Sequence, residues 1–171
     1  MPGDLPEIRS KERKAELGEV FTPPHLVQKM LDLVPPNVWA DPTKTFLEPS
    51  CGNGNFIVAI IQRKLDHGST IEQALTTTFG IDIDEQNVTE CHERVKQTFV
   101  PDGNVDLLAI ILNNIKLGDF LKAHVNDFDL FNDLSEASYM TQEKHDDILA
   151  HARRWSESGI HDADMFTKVG C

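Results

Sequence analysis

Residues 47–56 read LEPSCGNGNF: an acid–proline pair, then two glycines separated by one residue, at the end of a short apolar run. Such a turn brings backbone close to a ligand with no Cβ in the way, and it leaves the first N–H groups of a following helix open to that ligand. Two further acids occupy comparable places, Asp82 in FGIDID (79–84) and Asp119 in LGDFL (117–121). A carboxylate at the end of a strand can accept two hydrogen bonds from a ribose-type diol. Beside Asp82, Ile83 can pack on a flat heteroaromatic ring, and Asp119 can accept a bond from an exocyclic amine. Taken singly, a GxG turn or a strand-end acid is common; three such sites in this order are not. The turn is not a dinucleotide fingerprint, because Ile57 stands where the third glycine belongs, and no GK[ST] follows to make a P-loop.

These sites need strands to end at them and helices to follow. In 23–34, PPHLVQKMLDLV, apolar residues recur at Leu26, Val27, Met30, Leu31 and Val34, a helical spacing that Pro35 and Pro36 are expected to end. A short strand is expected over 45–47, then the glycine loop, then a helix over 55–65 with a strongly apolar first half. The pattern repeats with a short helix at 69–75 capped by Ser69 or Thr70, a strand within 76–84 and a helix over 85–99 presenting Val88, Cys91, Val95 and Phe99 along one face. PDGN marks a turn; 105–114 reads as a helix and 114–120 as a third strand, with 127–131 a candidate fourth. Alternating strands and helices imply an α/β fold with a parallel sheet and helices on both faces. Beyond residue 122 the character changes: 140–155 reads as a polar helix and the last sixteen residues carry little β signal, so the sheet is expected to be truncated. The organisation expected is a polar arm over 1–19, a ligand-binding domain over 20–135 and a polar helical tail over 136–171.

Read together, GEVFTP (18–23), FLEPSCGNGNF (46–56), FGIDID (79–84) and LGDFL (117–121) resemble the amino-terminal half of adenine-N6 DNA methyltransferases, above all those of restriction–modification systems. The resemblance spans roughly 17–122 and implies a Rossmann-like class I methyltransferase fold that binds S-adenosylmethionine. It implies that Phe21, Thr22 and Pro23 close over the methionine end of the cofactor. Glu48, Pro49, Ser50, Cys51, Gly52 and Gly54 would lie beside its amino-acid moiety, Asp82 on its ribose, Ile83 on its adenine face, and Asp119 and Phe120 at its adenine edge. Cys51 falls at a small-residue position and is read as packing.

The family next carries a tetrapeptide such as NPPF or DPPY. Its Asn or Asp and a backbone carbonyl accept hydrogen bonds from the flipped adenine amine, the prolines fix that carbonyl, and the ring stacks on the base. No such tetrapeptide follows here: the region reads FDLFNDLSEASY, leaving Asn132 as the catalytic candidate and Tyr139 as a displaced ring. Two classes of function follow. One is an adenine-N6 DNA methyltransferase subunit that needs a partner for DNA contacts. The other is an inactive methyltransferase-like protein serving as a cofactor-binding regulator, decoy or scaffold.

Composition narrows the remaining classes. With 171 residues, 40% hydrophobic and 26% charged, the chain has the make-up of one folded domain. No apolar run approaches a membrane span, MPGDLPEIRSKERK has no apolar core of a secretory signal, and Cys51, Cys91 and Cys171 lack CxxC spacing, so a reducing cytoplasmic location is expected. A net charge of −12 argues against a tight grip on DNA by this chain alone. His145, Asp146, Asp147 and His151 sit near one another, but the two histidines are six apart and fall on different helix faces, so no metal site is expected. Trp39 and Trp155 are read as packing residues. An exposed sheet edge needs cover, so a homodimer or a hetero-complex is expected.

Overall fold

A computed structural model describes residues 21–121 and 142–158; the arm, the 127–131 strand candidate, Asn132 and Tyr139 lie outside the described residues. Residues 21–23 lead into α1 (Pro24–Leu31), and α2 (Pro36–Ala40) follows. Each helix opens on a proline, whose missing N–H is no loss in a first turn. The helix read over 23–34 therefore stops earlier than its apolar spacing suggests. Pro36 does not merely end a helix; it begins the next, with Pro35 held extended ahead of it.

Three strands follow, each closing a helical approach: β1 (Phe46–Glu48), β2 (Thr78–Asp82) and β3 (Ile115–Leu117). Between them lie α3 (Asn55–Asp66), α4 (Ile71–Thr76), α5 (Glu85–Phe99) and α6 (Val105–Asn114); α7 is Gln142–Ser158. Thr70 and Gln73 form a reciprocal capping box on α4, Asp84 caps α5 through the Asn87 N–H, and Asn104 caps α6. The expected strand over 76–84 is shorter because α4 runs through Thr76 and the chain turns away after Asp82.

The sheet is small and wholly parallel, in the order β1-β2-β3, with Leu47 opposite Phe79 and Gly80 opposite Ile115. The fold is thus mixed α/β with a parallel sheet, as the alternation implies. Central β2 is buried along its whole length, as a strand in a covered parallel sheet must be. Right-handed connections that advance in one direction put their helices on one face, and α3 and α5 pack against each other and against β2. Ile57 and Cys51 approach Gly80 on that face, so alternation points Phe79 and Ile81 to the other.

The main core joins Ile57 and Ile61 of α3, Val88, Cys91 and Val95 of α5, Leu108 and Ile111 of α6, and Ala152 and Trp155 of α7. A second cluster gathers Val27, Leu31, Trp39 and Ile60, with Trp39 stacked on Phe46 at 4.6 Å. Both tryptophans are packing residues, as expected. Trp155 also donates from Nε1 to Glu93 Oε1 at 2.6 Å, and Lys96 Nζ donates to the Trp155 carbonyl at 2.9 Å. These bonds fasten α7 to α5. At the end of the sheet remote from the glycine loop, buried Lys64 donates to the Lys44 carbonyl and to Thr77 Oγ1, and burial lowers its pKa.

Candidate functional site

The carboxyl ends of β1 and β2 open onto one cleft of ≈ 220 Å³. Its walls come from four places in the chain. Phe21 and Thr22 precede α1; Glu48, Ser50, Cys51, Gly52 and Asn53 form the end of β1 and the loop. Asn55 and Phe56 begin α3, and Asp82, Ile83, Asp84 and Asn87 run from β2 into α5. Ligands of parallel α/β sheets bind at this end, outside the strand termini.

The loop is held from both sides. Cys51 N–H donates to the Ile81 carbonyl at 2.8 Å, extending the β1–β2 contact past the strand. Gly54 turns the chain into α3 at φ 90°, where a Cβ would stand 2.6 Å from Cys91 Sγ, so both conformation and space demand glycine. At Gly52 the neighbour is Phe21: an added Cβ would meet its ring at 3.1 Å. The Phe21 ring therefore lies directly on the loop.

Asp82 is the hub. Its Oδ2 accepts from the Gly52 N–H at 2.8 Å, and its Oδ1 accepts from the Asp84 N–H at 2.9 Å and from Asn87 Nδ2 at 3.3 Å. A buried carboxylate satisfied in this way ties the glycine loop to the start of α5. Gly118 N–H donates to the Asp82 carbonyl at 2.8 Å, which sets 119–120 beside the same strand end.

The electrostatics run one way. Glu48, Asp82 and Asp84 line the cleft, and no Lys, Arg or His side chain does among the described residues. Burial pushes the Glu48 carboxyl up, with the Asp82 charge adding to the rise; the Ser50 N–H on Oε1, at 3.3 Å, opposes both. The Cys51 thiol is pushed far up by its hydrogen bond with Cys91 and by burial, so it stays protonated and acts in packing. Asn53 Oδ1 is buried with no hydrogen-bond partner among the described residues, an acceptor unsatisfied in the cleft wall.

Of the residues singled out in the sequence, Phe21, Thr22, Glu48, Ser50, Cys51, Gly52, Asp82 and Ile83 line this one cleft. Pro23, Pro49 and Gly54 frame it without lining it. Asp119 and Phe120 also stand outside the lining, and Asp119 Oδ1 accepts the Leu121 N–H at 3.1 Å. Ile83 is 65% exposed, an apolar side chain left at the cleft mouth. Among the described residues, no three His, Cys, Asp or Glu side chains are grouped to hold a metal ion, and no helix is long and apolar enough to cross a membrane.

Sequence reasoning took Asn53 only as part of the Pro49–Gly54 loop and passed over Asn55, Phe56, Asp84 and Asn87; all five line the cleft. Asp84 and Asn87 carried a readable signal, the Asp-x-x-Asn spacing of a helix cap. Asn53 and Asn55 flank the second glycine of the loop that the sequence reading already singled out.

A family model described as N-6 DNA Methylase matches residues 7–164. No curated protein and no solved structure matches.

Proposed function

The chain belongs to the N-6 DNA methylase family, and from that premise we propose that its cleft binds S-adenosylmethionine in a Rossmann-like class I methyltransferase fold. The chain serves as an adenine-N6 DNA methyltransferase subunit that works with a partner chain. The observation that carries this reading is the tie from Gly52 to Asp82, which joins the two strand ends of a family-matched sheet around an acidic cleft.

The residues fit the cofactor chemically. Its ammonium and sulfonium outweigh its single carboxylate, so it carries a net positive charge that suits Glu48, Asp82 and Asp84. The unsatisfied Asn53 Oδ1 is an acceptor of the kind an ammonium needs. When bound, the cofactor supplies an electrophilic methyl group. Asp82 holds the ribose hydroxyls with acceptor capacity beyond the three hydrogen bonds it already accepts, Ile83 packs on the adenine face, and Asp119 and Phe120 read the adenine edge. Phe21, Thr22 and Pro23 cover the methionine end above the loop. Asn132, outside the described residues, is assigned to accept a hydrogen bond from the target amine.

A partner is part of the proposal. The net charge of −12 opposes phosphate contacts by this chain alone. Leu26 and Met30 on α1, with Leu33 in the turn just after it, are exposed apolar side chains that suit association with a second chain, in a homodimer or a hetero-complex. Light scattering at high concentration tests this, and a strict monomer that no added chain retains contradicts it. In this reading the partner supplies DNA contacts and the part of the sheet that the truncated Rossmann-like fold lacks. The chain belongs in the cytoplasm, in a restriction–modification context.

A second reading is favoured by FNDLS at 131–135, which replaces the catalytic tetrapeptide: a cofactor-binding regulator without transfer activity. Incubation with the cofactor and unmethylated duplex DNA, followed by digestion for N6-methyladenine, separates the two. Methylation that Asn132→Ala abolishes supports the subunit reading. Cofactor binding with no methylation, with or without a partner chain, supports the regulator.

A further inference from the structure

Arg94 lies on α5, ten residues into the helix, yet its guanidinium reaches the glycine loop. One terminal nitrogen donates to the Asn53 carbonyl and to Asn55 Oδ1, both at 2.8 Å. From the same amide, Asn55 Nδ2 donates to the Thr22 carbonyl at 2.9 Å. The chemistry allows one orientation only. A guanidinium offers donors and no acceptor, and a carbonyl offers an acceptor and no donor, so the amide oxygen must face Arg94 and its nitrogen must face Thr22.

We propose that Arg94 is a positioning residue: by orienting the Asn55 amide, it holds residues 21–23 down on the glycine loop and so fixes one wall of the cofactor cleft. The bonds run from α5 through the first residue of α3 to the segment ahead of α1, three elements otherwise far apart in the chain. The Phe21 ring lies on Gly52 beside the Thr22 anchor, so release of Thr22 uncovers the loop. The guanidinium is half-buried, and burial lowers its pKa, with the neighbouring Glu90 opposing that fall. The geometry stands whether or not the cofactor is S-adenosylmethionine; the binding arm of the test rests on that reading.

Asn55→Asp is the discriminating substitution. It keeps an acceptor for Arg94, now as an ion pair, but turns a second acceptor against the Thr22 carbonyl. Losing one bond of this kind and adding that repulsion corresponds to about a tenfold effect. Three measurements are made on the full chain: hydrogen exchange at the Phe21 and Thr22 amides without cofactor, S-adenosylmethionine affinity by calorimetry, and thermal unfolding.

The expected result for Asn55→Asp is about tenfold faster exchange at 21–22 and about tenfold weaker binding, with the thermal transition near that of the native chain. Arg94→Met should reproduce the exchange effect, and Arg94→Lys, which keeps a cationic donor, should restore part of it. Native exchange at 21–22 in both Asn55→Asp and Arg94→Met overturns the proposal. So does acceleration spread evenly over α3 and α5, which marks a purely structural role. If the native chain does not bind S-adenosylmethionine, the cofactor reading falls, and the exchange arm alone decides the latch.

Discussion

Replacing Asp82 by Asn changes one atom and should release the glycine loop. The carboxylate accepts on one oxygen from Gly52 and on the other from Asp84 and Asn87. An amide can keep only one of these sides. Facing its oxygen toward Asp84 and Asn87 saves two bonds, so its NH2 group should turn to the Gly52 N–H, donor against donor. A hydrogen bond to a charged acceptor contributes about 1.5–3 kcal/mol net, and a stranded buried donor costs a further ~1 kcal/mol or more. Relief of repulsion from Glu48, whose pKa the Asp82 charge raises, offsets part of this. The expected loss is about 2–3 kcal/mol, or roughly 5–10 °C in Tm for a chain of this size. Urea and thermal unfolding measure the loss, and hydrogen exchange should place it at Gly52 while the Asp84 and Asn87 amides stay protected. A loss below about 0.5 kcal/mol, the range of an ordinary surface substitution, would refute the hub role of Asp82.

Gly54→Ala should destabilise by about 3 kcal/mol, summing a left-handed backbone penalty and a contact with Cys91 Sγ. Cys91→Ala in the same chain should recover part of that loss, and a strictly additive double mutant in urea unfolding would count against the contact. His92 is held neutral by burial, with its pKa lowered from 6.5 to about 4. Above the unfolded value neither state is charged; as pH falls from 6.5 towards 4 the unfolded chain takes the proton first, so stability drops by about 3 kcal/mol. His92→Gln should flatten that limb of the pH–stability curve. S-adenosylmethionine should bind more tightly at neutral pH than its demethylated product, which lacks the sulfonium charge and has no net charge. Because burial raises the Glu48 pKa, that preference should shrink as pH falls into the upper carboxylate range, and Glu48→Gln should remove the pH dependence.

Local signals carried far where caps and turns were explicit. Asp84 before 85–99 and the PDGN turn before 105–114 delimit two helices whose ends match the sequence reading. The strand ends were less legible, because three-residue strands offer too little alternation to distinguish 45–47 from 46–48. In 140–155 the apolar minority proved decisive: Ile148, Ala152 and Trp155 suffice to seat α7 on the core, though the segment reads as polar. Most of the cleft lining followed from motif order. Its bracing did not, since the Arg94 contacts join residues 39 and 41 apart, and nothing in the ERV around Arg94 marks a guanidinium that reaches a loop. The hydrogen bond of the Asp82 side chain to the loop was equally hidden, because a strand-end acid reads the same whether it faces a ligand or a backbone N–H.

The most direct measurement is titration calorimetry of the native chain with S-adenosylmethionine, repeated on Asp82→Ala. Saturable binding by the native chain, lost in the variant while far-ultraviolet circular dichroism still reports a folded chain, is the predicted result. The absence of binding by a folded native chain would contradict the proposal that this cleft is a cofactor site.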